Sequence, residues 1–437
     1  MNSAKKAIDL LYASGYEAFL VGGCVRDALM GEEQNDFDVT TSALPNETLA
    51  VFSNYRTVPT GLKHGTVTVI IDGTPIEITT YRADGDYSDH RHPESVSFSR
   101  ELKDDLCRRD FTVNAMAYNE RVGLVDLYGG RQDIEKRIIR AVGDPDKRFD
   151  EDALRILRAL RFASQKCFSI EPATANSAKK LANLLSFVSA ERVFAELKKL
   201  LMGKGVLEVL LGYPEVITQI IPQLAPSVGF EQCNPHHVYN VYEHIAYTVH
   251  HAPFDEAVRL AALLHDIGKP ETFSVKDGIG HFYGHTDASL RIAEQVLTAL
   301  KCDNATKNEV LILIKYHDPV IEPTEKAVKR ALSKLGKPTL LKLLDLKSAD
   351  NLAQAPSCAK RLEGYEAIRD IISELEAKNS CFSLRDLKIN GDTLISLGIP
   401  RGRDVGRILQ TLLSEVIDGE TENTEEALKN RALVLKG

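Results

Sequence analysis

The stretch 19–40, FLVGGCVRDALMGEEQNDFDVT, constrains this chain more than any other. A short apolar run, 19–21, is closed by Gly22 and Gly23, which reads as a strand running into a tight turn. Adjacent glycines let backbone N–H groups approach a phosphate without side-chain bulk. Arg26 and Asp27 follow in the first turn of a short helix that Gly31 ends. A second strand then carries Asp36 and Asp38. Residues i and i+2 of a strand share a face, roughly 6–7 Å apart. Carboxylates so placed repel each other unless a cation lies between them, and Mg²⁺ fits that all-oxygen requirement. Metal ions held there can activate an attacking hydroxyl and steady a leaving pyrophosphate. Alone, a Gly-Gly pair is a turn and an Asp-x-Asp a solvated strand end; their conjunction is what singles this stretch out.

A chain of 437 residues has room for two to four domains. With 43% hydrophobic and 27% charged residues it has the composition of a soluble globular protein, and no apolar run is long enough to span a membrane. The first 18 residues read as an amphipathic helix, not a signal peptide. Seven cysteines stand singly, an odd number without paired spacing, which points to reduced thiols and a cytoplasmic protein. A net charge of −8 argues against nucleic acid only on average, because arginine is dense in 131–161 and lysine in 301–347.

Further along, Thr66–Ile71 and Pro75–Thr80 alternate with period two around Asp72-Gly73, a hairpin signal that sets Glu77 beside the sheet carrying Asp36 and Asp38. Glu77 reads either as a third metal carboxylate or as a solvated strand residue. Residues 84–98 are polar and turn-rich and read as a mobile loop next to the site. Residues 105–118, DLCRRDFTVNAMAY, set Arg108, Arg109 and Asp110 before Asn114; arginine forks suit phosphate oxygens and carboxylates suit ribose hydroxyls. From Glu151, apolar residues recur at helical spacing, with Asp152, Arg155, Arg158 and Arg161 on one stripe.

The run GGCVRDALMG…DFD resembles the opening of the nucleotidyltransferases built on a DNA polymerase β-like palm, in particular the class II tRNA nucleotidyltransferase and bacterial poly(A) polymerase family. RRDFT-x-NA and EDxxR strengthen that resemblance. It implies an α+β head with Asp36 and Asp38 as catalytic Mg²⁺ ligands. Gly22, Gly23, Arg26, Asp27, Arg109, Asp110 and Asn114 would bind the nucleotide. Asp152 and Arg155 would read the Watson–Crick edge of the incoming base, while Arg158 and Arg161 face triphosphate or tRNA phosphates. Ser189 to Arg192, with Glu196, resembles a capped helix that buttresses the template helix. In this family the counterpart of 84–98 helps switch from C to A addition. The implied partners are tRNA, ATP and CTP, with no membrane and no obligate protein partner.

A second constellation, His244, His265-Asp266, His285, His317 and Asp350, resembles the HD phosphohydrolases. There His244, His265, Asp266 and Asp350 would bind a divalent metal, with His285 and His317 near substrate phosphate or a second ion. Such a His/Asp set suits Mn²⁺, Ni²⁺, Fe²⁺ or Zn²⁺ better than Ca²⁺. The alternative is a helical body that only binds tRNA. The expected order is a catalytic head (1–140), an all-α neck with the template helix (141–202), a Gly/Pro-rich linker (203–235), an HD body (236–355) and a helical tail (356–437). The tail resembles that of Gram-positive-type CCA-adding enzymes, with Gly402, Arg403 and Arg407 as a phosphate-binding helix start. The implied reaction is template-independent addition of CMP, CMP and AMP to the tRNA 3′ end. Poly(A) synthesis or A addition on the same framework, and a phosphohydrolase with a tRNA-binding head, are the rival readings.

Overall fold

The computed structural model describes residues 2–34, 36–84 and 96–436. The expected mobile loop, 84–98, lies mostly outside them. The chain divides into two compact units, Met1–Ala225 with Ala299–Lys301, and Pro226–Thr298 with Cys302–Gly437. No helix among the described residues is long and apolar enough to cross a membrane.

The first unit runs α1 (Asn2–Ala13), β1 (Ala18–Val21), α2 (Gly23–Leu29), β2 (Asp38–Thr41), α3 (Pro45–Val51), β3 (Arg56–Gly61), β4 (Thr66–Ile71) and β5 (Thr74–Thr80). The pair β6 (Arg82–Asp84) and β7 (Val96–Phe98) precedes α4 (Leu102–Cys107), β8 (Met116–Asn119), β9 (Gly123–Asp126) and α5 (Gly130–Lys136). Then come β10 (Ile138–Ile139), α6 (Pro145–Glu151), α7 (Leu154–Lys166), β11 (Ser169–Ile170), α8 (Pro172–Lys180), α9 (Ala190–Leu201), α10 (Val206–Gly212) and α11 (Pro214–Ile220).

Seven strands form one sheet in the order β3-β4-β5-β2-β1-β8-β9, with β2 and β5 parallel and the other neighbours antiparallel. The expected hairpin forms: Asp72 and Gly73 both have positive φ, 50° and 79°, the backbone a two-residue turn requires. Register then decides the site. Asp38 lies opposite Val21 on one side and Glu77 on the other. On the opposite face, Val39, Val67, Val69, Ile76 and Ile78 bury themselves against Ala4, Ala7 and Leu11 of α1. Each such aliphatic burial stabilises by about 1.5–3 kcal/mol, which pins the register because a one-residue slip would expose the whole row.

Four expectations change. Asp36 is not in the strand; β2 begins at Asp38, and Asp36 precedes it. Asp152 is not on a continuous helical stripe: α6 ends at Glu151, and Asp152 sits in extended backbone before α7. Its Oδ1 accepts from the Leu154 N–H at 3.2 Å, so the carboxylate meets an otherwise unpaired amide at the helix start. Ser189 precedes α9, but its side chain makes no capping hydrogen bond. The region 203–235, read as a linker, contains α10 and α11, and the division between units falls at 225/226. Gly203 serves close packing: a Cβ there would lie 2.1 Å from Ser164 Oγ.

The second unit is helical, with one small ladder: α12 (Val241–His251), α13 (Glu256–Leu264), α14 (Lys269–Thr272), β12 (Ser274–Lys276), β13 (Ile279–His281), α15 (His285–Ala299), α16 (Asn304–Tyr316), α17 (Glu325–Leu335), α18 (Lys337–Leu352) and α19 (Lys360–Ala377). Three further helices, α20 (Gly391–Ser396), α21 (Arg403–Asp418) and α22 (Glu425–Lys436), share a small core around Leu394, Leu412 and Leu428. The Gly402-Arg403 helix start exists as α21, where Arg407 Nη2 lies 3.4 Å from Asp404 Oδ1.

Candidate active sites

Gly22 stands at the turn between β1 and α2 with φ +74°, where a side chain would be strained; a Cβ there would lie 3.1 Å from Arg109 Nη1 and 3.9 Å from Asp38 Oδ2. Gly22, Arg109 and Asp38 therefore meet at one point. Asp36, Asp38 and Glu77 are all exposed. Protein crowding on the inner side of Asp38, then the Glu77 carboxylate, push its carboxyl up; Arg109 opposes this and Asp36 adds to it. Like charges gathered at an open strand end are what a bound cation relieves, so these oxygen donors fit Mg²⁺.

Behind them is a residue the sequence reading passed over. Asp105 is fully buried and accepts from Arg108 Nη2 (2.6 Å), Arg109 Nη2 (3.1 Å) and Thr40 Oγ1 (3.2 Å). Its burial would raise its pKa, but the two guanidiniums hold it below the usual range. One carboxylate between two arginines leaves a positive surplus next to Asp38, and the i−3 and i−4 spacing of Asp105 was the available signal.

The arginine stripe is not a set of free cations. Arg158 donates to the buried Asp110 (2.8 Å), which also accepts from Asn114 Nδ2 at 3.0 Å. Burial pushes Asp110 up, yet Arg158 and Asn114 hold it far below the carboxylate range. Arg26 Nη1 donates to Asn114 Oδ1 (2.6 Å), and Arg26 and Lys166 both pair with Asp27. Arg161 pairs with Glu196 of α9 at 2.9 Å, and Arg192 with Asp152 at 3.4 Å, so α9 does buttress α7. Arg155 is buried, bonded to Glu151 and to the carbonyls of Arg148 and Arg108. Arg26, Arg158 and Arg161 surround the ring of Phe162 at 5.0, 5.5 and 4.1 Å. The head thus presents a tightly paired wall of arginines in which Arg109, beside Asp38, carries the surplus.

In the second unit, α12, held by an Asn240/Glu243 capping box, supplies His244. His265-Asp266 ends α13, His285 opens α15, His317 ends α16 and Asp350 lies in the last turn of α18. Ligand atoms of His244, His265, Asp266 and Asp350 all lie within 4.8 Å of one another, and so do those of Asp266, His285 and His317. Asp266 belongs to both sets: Oδ2 is 3.2 Å from His244 Nε2 and 3.3 Å from His265 Nε2, while Oδ1 is 3.6 Å from His285 and 3.8 Å from His317.

The Nδ1 atoms explain why the set suits a metal. They lie 3.2, 2.8, 2.9 and 2.7 Å from the carbonyl oxygens of Ala353, Ala262, Phe282 and Ile314 respectively, for His244, His265, His285 and His317. A carbonyl only accepts, so each Nδ1 donates its hydrogen there and each Nε2 faces the centre. Burial pulls His265 down, but Asp266 and Asp350 more than reverse this and push it up to about 10. The cluster therefore attracts positive charge strongly, and its two-nitrogen, two-carboxylate set fits a borderline transition metal. Lys269, absent from the sequence reading, is buried with Nζ 2.7 Å from Asp266 Oδ2 and 2.9 Å from Gln232 Oε1.

Comparison with known proteins bears on both units. Residues 18–140 match the family model described as Poly A polymerase head domain, 167–211 the probable RNA and SrmB-binding site of polymerase A, and 279–432 a putative tRNA nucleotidyltransferase domain 2. A CCA-adding enzyme of Streptococcus thermophilus is 35% identical over 427 residues, covering 96% of this chain and 94% of that protein. One from Geobacillus thermodenitrificans reaches 52% over 196 residues, 45% of this chain and 48% of that protein. Among solved structures, a Bacillus stearothermophilus CCA-adding enzyme in complex with CTP superposes with TM-score 0.75 at 30% identity, covering 99% of this chain and 96% of that one. The polymerase β-like head and helical body anticipated from the motifs are the fold found. On these similarities, which run through nearly its whole length, the chain belongs to the family of the CCA-adding enzymes.

Proposed function

We propose that the chain adds CMP, CMP and AMP to the 3′ end of tRNA, using CTP and ATP and releasing pyrophosphate. The observation that carries this is Asp38 crowded by Glu77 and Asp36 and faced by Arg109 across the Gly22 turn. Asp36 and Asp38 would hold Mg²⁺, which supplies Lewis-acid activation of the attacking hydroxyl and neutralises charge on the phosphates. Arg109 lies where it can bind a triphosphate oxygen, and Gly22 keeps the turn free of a Cβ. Asp110 and Asn114, locked by Arg158 and Arg26, hold this wall rigid, so binding costs little reordering. Asp152 accepts from the amino group of cytosine or adenine, and Arg155 exchanges one of its present bonds for a ring acceptor of the base. The test is incubation with tRNAs ending before, within and after CCA, each with single labelled NTPs. Addition of C, C and A in that order, and nothing after a complete end, is the expected outcome; long A tails would make it a poly(A) polymerase.

A second activity is favoured by the four proton-locked imidazoles. We read His244, His265, Asp266 and Asp350 as a transition-metal centre that hydrolyses a 2′,3′-cyclic phosphate or a simple phosphomonoester. Metal analysis finding no bound ion, with no hydrolysis after Mn²⁺ or Ni²⁺ addition, would return this unit to a purely structural role.

A further inference from the structure

Arg109 stands between two carboxylates, and the one it takes decides what else it can do. Asp105, four residues before it in α4, is fully buried. Arg108 occupies one of its oxygens, Oδ1, through Nε (3.0 Å) and Nη2 (2.6 Å). The other, Oδ2, accepts from Arg109 Nη2 (3.1 Å) and Thr40 Oγ1 (3.2 Å). Thr40 lies two residues after Asp38 in β2, on the same face of the strand. Asp105 therefore fastens the Arg109 guanidinium to the strand that carries Asp38. Among the described residues this is the one ion pair of Arg109; its Nη1 lies 3.5 Å from the Asn114 carbonyl oxygen, and its buried Nε makes no hydrogen bond.

Asp38 is the second carboxylate. A Cβ at Gly22 would lie 3.1 Å from Arg109 Nη1 and 3.9 Å from Asp38 Oδ2, so a guanidinium released from Asp105 reaches Asp38 by side-chain rotation. The like charges of Glu77 and Asp36 around Asp38 would draw it there. Such a pair would occupy both the phosphate-seeking cation and the metal-seeking carboxylate.

We propose that Asp105 is a positioning residue that holds Arg109 off Asp38, with the Nη1 edge turned to the Gly22 turn. The arginine then stays open to the triphosphate and the carboxylate to Mg²⁺. The proposal rests on the reading of Arg109 as a triphosphate ligand and names what keeps it in that role. Two guanidiniums sharing Asp105 make its buried charge tolerable; a neutral amide of the same shape would keep the packing and lose the hold.

The test is equilibrium dialysis of the full chain with CTP and with cytidine, in the presence of chelator so that no metal bridges the phosphates. Asp105→Asn is expected to weaken CTP by about 10- to 150-fold, the worth of one charge-assisted hydrogen bond, and to leave cytidine nearly unchanged. Asp38→Asn should then restore much of the loss, because it removes the carboxylate that Arg109 has moved to. Its gain should be larger in the Asp105→Asn chain than in the wild type. Equal loss of CTP and cytidine, with no gain specific to that background, would make Asp105 a merely structural residue and overturn the proposal. Arg109→Gln separates the two readings. CTP weakened by Arg109→Gln but not by Asp105→Asn leaves Arg109 a triphosphate ligand without this anchor, and CTP unchanged by Arg109→Gln removes both. Should circular dichroism show Asp105→Asn unfolded, Asp105→Glu takes its place: the charge is kept, but the added methylene moves the anchored guanidinium, so CTP binding falls while cytidine binding holds. Wild-type CTP binding by that variant overturns the proposal.

Discussion

At the start of β2 the Asp38 carboxylate stands in solvent beside Glu77, whereas at the end of α13 Asp266 and His265 are buried and met from several helices. The first group is incomplete by itself: its carboxylates repel, Arg109 opposes this only in part, and a bound cation is what would relieve the rest. The second is assembled beforehand, with each imidazole oriented by donating its Nδ1–H to a backbone carbonyl. An open site suits a reaction whose substrates, a tRNA end and an NTP, are exchanged at every step. A closed cluster suits an ion that stays.

The largest effect that would break this contrast comes from Asp38→Ala. It should lower nucleotide addition on the order of 10³-fold under saturating Mg²⁺ while tRNA affinity is nearly unchanged. Substantial turnover by the variant would remove Asp38 from the chemistry. His265→Ala should come next. Bound transition metal per chain, measured by elemental analysis, should fall to background, since even disturbing a ligand's support costs about 10–100-fold in affinity. Addition to tRNA should survive in that variant; its loss would show that the two regions do not work separately.

Asp152→Ala sharpens the comparison within the first unit. A carboxylate opposed to the carbonyl of uracil or guanine is a mismatched acceptor pair, costing about 1–3 kcal/mol. Single-nucleotide incorporation should show rejection of UTP and GTP relaxed by a corresponding factor, roughly 5- to 150-fold. Unchanged discrimination in an active variant would place base selection elsewhere. The smallest effect concerns acid. Asp110 titrates lower in the folded chain than unfolded, so its contribution is present above the unfolded value, about 3.9, and is lost as pH falls below it. Stability of the wild-type chain should therefore fall more steeply below about pH 4 than that of Asp110→Asn, as followed by denaturant melts.

Much of this was legible because it is local. The Asp72-Gly73 hairpin and the helix stop at Gly31 depend on backbone preferences within a few residues. The His-Asp doublet was legible for another reason: such residues at the end of an apolar helix are costly unless something binds them. What sequence spacing misjudged was Asp152. Helical periodicity runs through 151–162 without showing that the backbone breaks there, because a capping aspartate and a helical one look alike in one dimension. Asp105 and Lys269 were passed over for a different reason: their ion-pair partners lie within four residues, but their burial, which makes those pairs matter, is not visible in one dimension.

By itself the sequence determined the types of chemistry available: paired carboxylates after a Gly-Gly turn, arginines for phosphate, and histidines with aspartates for a metal. Side-chain chemistry and local backbone preference are properties of a residue and its near neighbours, so they survive in one dimension. Only the tertiary structure decided which groups are neutralised and which remain unsatisfied. Parallel pairing of β2 with β5 brought Glu77 to Asp38, the packing of α7 on α9 tied Arg161 to Glu196, and the distant Ala353 carbonyl took the Nδ1–H of His244. Charge compensation acts through space and through burial, and neither distance nor burial is written in the order of residues.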